Sequence, residues 1–215
     1  MRRAGRRFQL QWPVVRGGSA LALTLACGLA LAGCSGGLGG LSVKSTPTAY
    51  DLSAVEDFPR HARAARGQLV IAEPVALSAY DGEKIVVRPN PGEAAQMGDA
   101  QWQDRLPRLI QTRILQSFEN ASRVRAVGRP ADKIAGDFVL MTELRAFEIS
   151  VADGSAVVEI AAKIVRDRTG RIMAARVFRA SVPVAGHEGA PAAAALNEAF
   201  GKLTRELVLW AARVV

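Results

Sequence analysis

Residues 137–183 read DFVLMTELRAFEISVADGSAVVEIAAKIVRDRTGRIMAARVFRASVP, and this stretch decides the fold. It contains three long runs with period-two patterning, the signature of half-buried strands. Asp137 to Ile149 places Phe138, Leu140, Thr142, Leu144 and Ala146 on one face. Ala156 to Arg166 places Val158, Ile160, Ala162 and Ile164 on one face, and Arg171 to Pro183 does so with Ile172, Ala174, Phe178, Ala180 and Val182. Asp153-Gly154 and Asp167-Arg168-Thr169-Gly170 separate the runs with hairpin turn chemistry. The expectation is an antiparallel meander.

The other face of this meander is mixed. It carries Val139, Met141, Glu143, Arg145, Phe147, Val157, Glu159, Lys163, Val165, Met173, Val177 and Arg179. Two readings fit. An exposed apolar patch of more than a few hundred Å² marks a partner or lipid surface; alternatively, a loop or an early strand covers it.

Outward from the meander, two helices are legible. After Pro191, Leu196, Ala199, Phe200, Leu203, Leu207, Trp210, Ala211 and Val214 recur at helical spacing, so a helix runs to about Ala212 and lies over the sheet. Upstream, Leu106, Leu109, Ile110, Ile114, Leu115 and Phe118 form a second apolar stripe. Asp104 is its expected N-cap, and Pro107 sits in the first turn, where a missing N–H does no harm. Gln68 to Ala72, Lys84 to Arg88 and Arg123 to Val127 read as shorter strands. The expected architecture is α+β: a mainly antiparallel β-sheet with two amphipathic helices packed on one face. Trp102, Phe118 and Trp210 read as core anchors, since large aromatics dominate core burial.

Before the domain, residues 34–48 are glycine-rich and read as a flexible linker. Their Gly-Gly-Leu-Gly-Gly run lacks the strand and helix that a phosphate-binding loop needs on either side. Residues 49–215 then make one domain, within the usual ~100–200 residues.

Ahead of the linker stands Leu31-Ala32-Gly33-Cys34, the pattern of a bacterial lipoprotein signal. Arg2, Arg3, Arg6, Arg7 and Arg16 make a basic leader, and Ala20 to Ala32 is an apolar run. That run is too short to span a ~30 Å hydrocarbon core, but it fits the 7–15 residues, roughly, of an export signal. Residues 1–33 are therefore expected to be removed, and the Cys34 sulfur to carry lipid. The Arg6-Arg7 pair touches on twin-arginine export, but the residues after it match poorly, so general secretion is the default. Ser35, where an aspartate would favour retention in the inner membrane, points to the outer membrane and a domain facing the periplasm.

Removal of the signal changes the charge. The chain has 28 Lys+Arg against 20 Asp+Glu, a formal +8. Five of those arginines leave with residues 1–33, so the remainder carries a formal +3 of mixed sign, which does not suit nucleic acid. Cys27 also leaves, and Cys34 is consumed by lipid, so no thiol remains for a disulfide, a metal site or a nucleophile.

Nothing in the sequence assembles an enzyme, a cofactor site or a metal site. His187-Glu188-Gly189-Ala190-Pro191 begins like a zinc helix but lacks the second histidine. His61 lies among Arg60, Arg63 and Arg66. There is no Gly-x-Ser-x-Gly elbow. Asp132, Asp137, Glu143 and Glu148 are spread over turn and strand positions, as surface charge would be.

The order of landmarks resembles the ABC-type transport auxiliary lipoprotein component family. After the lipoprotein signal come Tyr50-Asp51-Leu52, then Gln68-Leu69-Val70-Ile71, then Tyr80-Asp81-Gly82-Glu83-Lys84-Ile85-Val86-Val87-Arg88. The most specific stretch is Gln101-Trp102-Gln103-Asp104-Arg105-Leu106-Pro107-Arg108-Leu109-Ile110, continuing to Ile114-Leu115-Gln116-Ser117-Phe118 and Val124-Arg125-Ala126-Val127. Ala131-Asp132, Arg145-Ala146-Phe147-Glu148, Arg176-Val177-Phe178 and a terminal helix ending near Trp210 complete it. Gln96-Met97 departs from the pattern, since many relatives carry an aromatic there.

This resemblance implies a non-catalytic, lipid-anchored component of a system that moves phospholipids or related hydrophobic compounds. It implies partnership with an MCE-domain protein, a permease and an ATPase, and allows homo-oligomers. A reading from another class remains beside it: an outer-membrane lipoprotein that acts as an envelope assembly factor or activates a cell-wall enzyme. Lipid carriage within the domain itself is a third.

Overall fold

The structure is a computed structural model and describes residues 46–59, 67–186 and 188–215. Cys34, His61 and His187 lie outside the described residues. In chain order the strands and helices are β1 (Thr48–Tyr50), β2 (Gln68–Ile71), β3 (Val75–Ala76), β4 (Lys84–Arg88), β5 (Ala95–Trp102), α1 (Leu106–Ala121), β6 (Ala126–Gly128), β7 (Phe138–Ser150), β8 (Ser155–Arg166), β9 (Arg171–Pro183) and α2 (Gly189–Ala211). Ser45–Val215 make one compact unit, and its fully buried core runs from Leu52 to Ala211.

The expected meander is present. β7, β8 and β9 pair antiparallel in sequence, through turns with Gly154 and Gly170 in the left-handed region. That conformation strains a side chain but not glycine. The expectation of a mainly antiparallel sheet is corrected: the sheet is mixed. β7 is a spine with two different edges. One edge takes β8 along its whole length. The other takes three short parallel strands end to end: β2 against 138–140, β3 against 143–144 and β4 against 148–150. Two further parallel pairings, β2 with β6 and β1 with β5, extend this forked side, and β4 pairs β5 antiparallel. Strands this short leave little periodicity, and the parallel pairings join residues 52 to 69 positions apart, so chain proximity gives no clue to them.

Two β-bulges revise the expected faces. Arg145 is an extra residue between Leu144 and Ala146, opposite Ile160 and Glu159 of β8. The side-chain alternation therefore shifts by one. Phe147 turns into the core and Ala146 turns away from it, the reverse of strict alternation. Phe147 is buried edge-on against Trp102, with centroids 5.5 Å apart, and tilted against Phe200 at 6.1 Å. In β9, Met173 is the extra residue between Ile172 and Ala174. It flips Ile172 from the expected core face to the outside, where it is exposed.

Both helices follow their apolar stripes. Leu106, Leu109, Ile110, Ile114, Leu115 and Phe118 are all buried, as are Leu196, Ala199, Phe200, Leu203, Leu207 and Ala211. Asp104 is not the N-cap; Arg105 is, and its side chain makes no capping bond. The first helical amide, Leu106 N, instead donates to the Gly82 carbonyl at 2.9 Å, so a loop satisfies the exposed helix start. Trp102 and Phe118 are core residues, as expected, while Trp210 is partly buried and packs edge-on to Phe178. Met97 fills a core position in β5.

Residues 51–59 form no regular element but strap across both helices. The Asp51 carboxylate pairs with Arg113. Val55 N donates to Ser117 Oγ at 2.9 Å, and its carbonyl accepts from Asn120 Nδ2 at 3.0 Å. From α2, Asn197 Oδ1 accepts the Ser53 amide at 2.7 Å, and the Arg205 guanidinium stands 5.6 Å from the centre of the Phe58 ring. Leu52 and Val55 are buried beneath these bonds.

Candidate partner surface

Helices and strap occupy one side of the sheet, so the face turned away from them is the one free to bind. Residues directly opposite on neighbouring strands share a face, which assembles this outer surface row by row. The register aligns Val70, Val139, Val165 and Ile172, then Met141, Lys163 and Ala175, then Val75, Glu143, Ala161 and Val177.

The β7 bulge divides this face into two halves. Past it, a cover is in place. Tyr80, in the loop from β3 to β4, is 1% exposed, and its hydroxyl donates to Glu148 Oε2. Arg88 Nε donates to the same carboxylate oxygen at 2.6 Å, and Arg88 Nη2 donates to the Tyr80 hydroxyl at 3.1 Å. Burial pushes the Tyr80 phenol above the ordinary tyrosine range, and the Glu148 carboxylate pushes it the same way; Arg88 opposes both but does not outweigh them. Glu148 is thus a buried, doubly bonded anchor. This corrects its reading as surface charge. Neither Tyr80 nor Arg88 is near it in sequence, so the pattern of β7 alone carried no sign of it.

Before the bulge the face is open. Val75, Leu77, Met141, Ile172, Met173 and Val177 are between 37% and 68% exposed, and they are six of the eight large hydrophobics exposed among the described residues. Met141, Val177, Met173 and Lys163 belong to the mixed face read from the sequence. Val75 and Leu77 were missed, because the 72–79 segment has no periodicity to read. Between β3 and the meander lies a shallow depression of about 210 Å³, lined by Ala72, Glu73, Val75, Met141, Thr142, Glu143, Ala161 and Lys163. The nearby charges are largely paired: Glu143 with Arg145 at 3.6 Å and Glu159 with Arg179 at 3.1 Å. An apolar floor with a rim of paired charges suits protein binding, since desolvating it strands few free charges.

The remaining carboxylates do separate structural work. Asp132 accepts the Arg129 amide at 2.7 Å, and Asp137 accepts the Gln68 amide at 2.9 Å. Another cleft, of about 570 Å³, lies where α1 meets residues 129–131, and Gln111 and Arg129 on its wall are bonded to Ile71 O and Thr112 Oγ1. Among the described residues no group of three His, Cys, Asp or Glu could hold a metal ion, and no helix is long and apolar enough to cross a membrane.

Comparison with known proteins places this geometry. The family model for the ABC-type transport auxiliary lipoprotein component matches residues 50–208. A protein of Bradyrhizobium diazoefficiens is 34% identical over 166 residues; the match takes in 75% of this chain but only 44% of that longer protein. Among solved structures, a Xanthomonas campestris protein of the DUF330 family superposes with a TM-score of 0.70 at 27% identity, covering 79% of this chain and 96% of its own. A second crystal structure, of an uncharacterized protein, shares the fold at a TM-score of 0.63 and 12% identity, over 77% of this chain and 99% of its own.

Proposed function

Because the chain belongs to the ABC-type transport auxiliary lipoprotein component family, we propose that it works without catalysis as a tethered docking domain of an ABC-type lipid transport system. In this reading the signal through residue 33 is removed and Cys34 carries lipid. The linker of residues 34–48 then holds the domain on the periplasmic side of the outer membrane. Its partners are an MCE-domain protein and, through it, a permease and an ATPase that supplies the energy.

The observation that carries this reading is the half-open outer face. The core, the helices and the strap close one side, and Tyr80 closes half of the other. What is left is an apolar floor around Met141 and Val177, rimmed by ion pairs, which a protein partner can cover. A tether makes such a surface effective at modest affinity, because it raises the local concentration of the domain at the membrane.

The test is co-purification of the tagged full-length chain from solubilised envelope membranes, with and without Met141→Glu. The reading expects an MCE-domain protein, a permease and an ATPase with the native chain, and their loss with the variant. Recovery of a cell-wall synthase without an MCE-domain protein would sink it. Fractionation of inner from outer membranes tests the location separately.

A further inference from the structure

Ten arginines are exposed among the described residues, and they divide by place. Five are in ion pairs; the other five, Arg125, Arg166, Arg168, Arg171 and Arg213, are in none. All five unpaired arginines lie at one end of the domain. The Arg125 amide donates to the Gly67 carbonyl at 3.3 Å. Gly67 abuts Phe138 and Val215, and Val215 closely follows Arg213 in the chain. The centre of the Phe138 ring is 5.0 Å from the Arg166 guanidinium. Arg171 stands directly opposite Arg166 in the β8–β9 ladder, with Arg168 in the turn between them. Like charges placed so destabilise a sheet. Glu119, Asp137, Asp167 and the Val215 carboxylate are the anions here; none is within ion-pair distance of these arginines, and the Asp137 carboxylate accepts the Gln68 amide. Residues outside the described ones cannot neutralise this end. They contain no acid, and residues 60–66, whose neighbours Pro59 and Gly67 stand here, contain three arginines.

We propose that this end docks on a bilayer surface that contains anionic phospholipid. A guanidinium matches a phosphate through two parallel hydrogen bonds. Two observations favour lipid over an acidic protein. The first is dispersion. The five arginines come from three separate element ends: the α1–β6 connection, the β8–β9 turn and the tail of α2. A protein interface closes around a desolvated apolar centre, yet Ile172, the exposed hydrophobic next to Arg171, turns to the outer face instead. The second is freedom. No carboxylate holds these side chains, so ordering them against a rigid acidic surface costs side-chain entropy. Lipid headgroups move laterally and meet each guanidinium where it stands.

The linker joins the opposite end. Thr48 pairs with Ala100, and the neighbouring Asp99 Oδ2 accepts the Gly189 amide that opens α2, at 3.0 Å. Arg213 follows the far end of this 23-residue helix, about 35 Å away. Residues 34–48 extend to about 50 Å at most, so a chain anchored at Cys34 can lay its arginine end on the same membrane. Seated so, the β7–β9 ladders stand upright and the open outer face looks sideways, clear of the bilayer. That a bilayer is at hand rests on the tether reading; the affinity of the arginine end does not.

The test uses the chain from Ser45 onward, which holds the whole core and lacks Cys34, so no lipid anchor contributes. Co-sedimentation with vesicles of phosphatidylglycerol and phosphatidylcholine should exceed that with phosphatidylcholine alone by roughly tenfold or more. It should vanish as salt rises from about 0.1 M to about 1 M, where the screening length falls to about 3 Å. Arg168→Ser with Arg171→Ser should weaken binding about 25-fold, at about fivefold per arginine. Its melting temperature should not fall, because Arg166 loses its opposed charge. Arg213→Ser, in another element, should weaken binding about fivefold. The control, Arg108→Ser with Lys202→Ser, removes the same charge from exposed ion pairs and should stay within about twofold. No preference for anionic vesicles overturns the proposal, as does binding that survives high salt or falls equally with the control. Each of these results leaves the docking reading of the outer face standing, because that reading is tested by co-purification.

Discussion

Phe147 packs edge-on to Trp102, with ring planes at 84°, although strict alternation from Phe138 would point it to the opposite face. One inserted residue, Arg145, makes the contact. Beyond it the core gains Phe147 and Ile149, and the outer face gains the Glu148 anchor.

Phe147→Ala should destabilise the domain by about 3–5 kcal/mol, the usual cost of emptying a buried phenylalanine site. Arg145→Ala, at an exposed position, should stay within about 0.5 kcal/mol. Deletion of Arg145 makes the Leu144–Ile160 and Ala146–Glu159 pairs consecutive and leaves Phe147 and Ile149 on the core face, so it should cost less than Phe147→Ala. Chemical denaturation of the three variants checks the order; a deletion as costly as Phe147→Ala would contradict the reading of Arg145 as an extra residue.

Tyr80 makes stability depend on alkaline pH. Its folded pKa is raised, so its contribution is intact below the ordinary tyrosine value near 10 and is lost as pH rises through the raised folded value. Tyr80→Phe should cost about 1–3 kcal/mol near neutrality, since Glu148 loses a buried partner. The variant should also lose less stability than the native chain above about pH 10. Melting temperatures from pH 7 to pH 11 test both, and parallel alkaline limbs for the two proteins would contradict the mechanism.

The strap should be separable from the core. Ser117→Ala removes the acceptor of the Val55 amide and should cost about 1–2 kcal/mol, with faster hydrogen exchange at Val55 as its local signature. Burial raises the Asp51 carboxyl, but Arg113, the Leu52 amide and Gln103 together hold it below the ordinary carboxylate range. Its contribution is therefore full above about pH 4 and is lost as pH falls through the lowered value. Asp51→Asn should flatten the acid limb of the stability curve, and an unchanged limb would count against the pairing.

Cys34→Ala should abolish lipid attachment and membrane retention, read by metabolic lipid labelling and by fractionation. The melting temperature of the domain should not move, because the core lies between Leu52 and Ala211. A variant that stays in the membrane fraction would overturn the tether.

The sequence spoke clearly where elements are long. The meander and both helices were legible because eight or more residues repeat one period, and the mixed outer face was legible from the same runs. Short elements were silent. Nothing in Val75-Ala76 announces a strand, and nothing in Tyr80 announces that Glu148, 68 residues away, is its partner. The bulges at Arg145 and Met173 were missed for another reason. A period count assumes unbroken alternation, so one extra residue reverses every assignment after it. Phe147, a large aromatic on the expected outer face of β7, was the only hint of such a reversal.

The spine position of β7 also sets the order in which the chain can become a protein. β2, β3 and β4 each require β7, which ends at Ser150, so their parallel ladders against it must wait for that strand, although β4 can already pair β5. The β7–β8–β9 hairpins, by contrast, need only their neighbours and can form as soon as they appear. The side of the sheet built on β7 therefore stays open through most of the chain's synthesis. In the export reading proposed above, late closure of this side of the sheet would suit passage through a translocation channel.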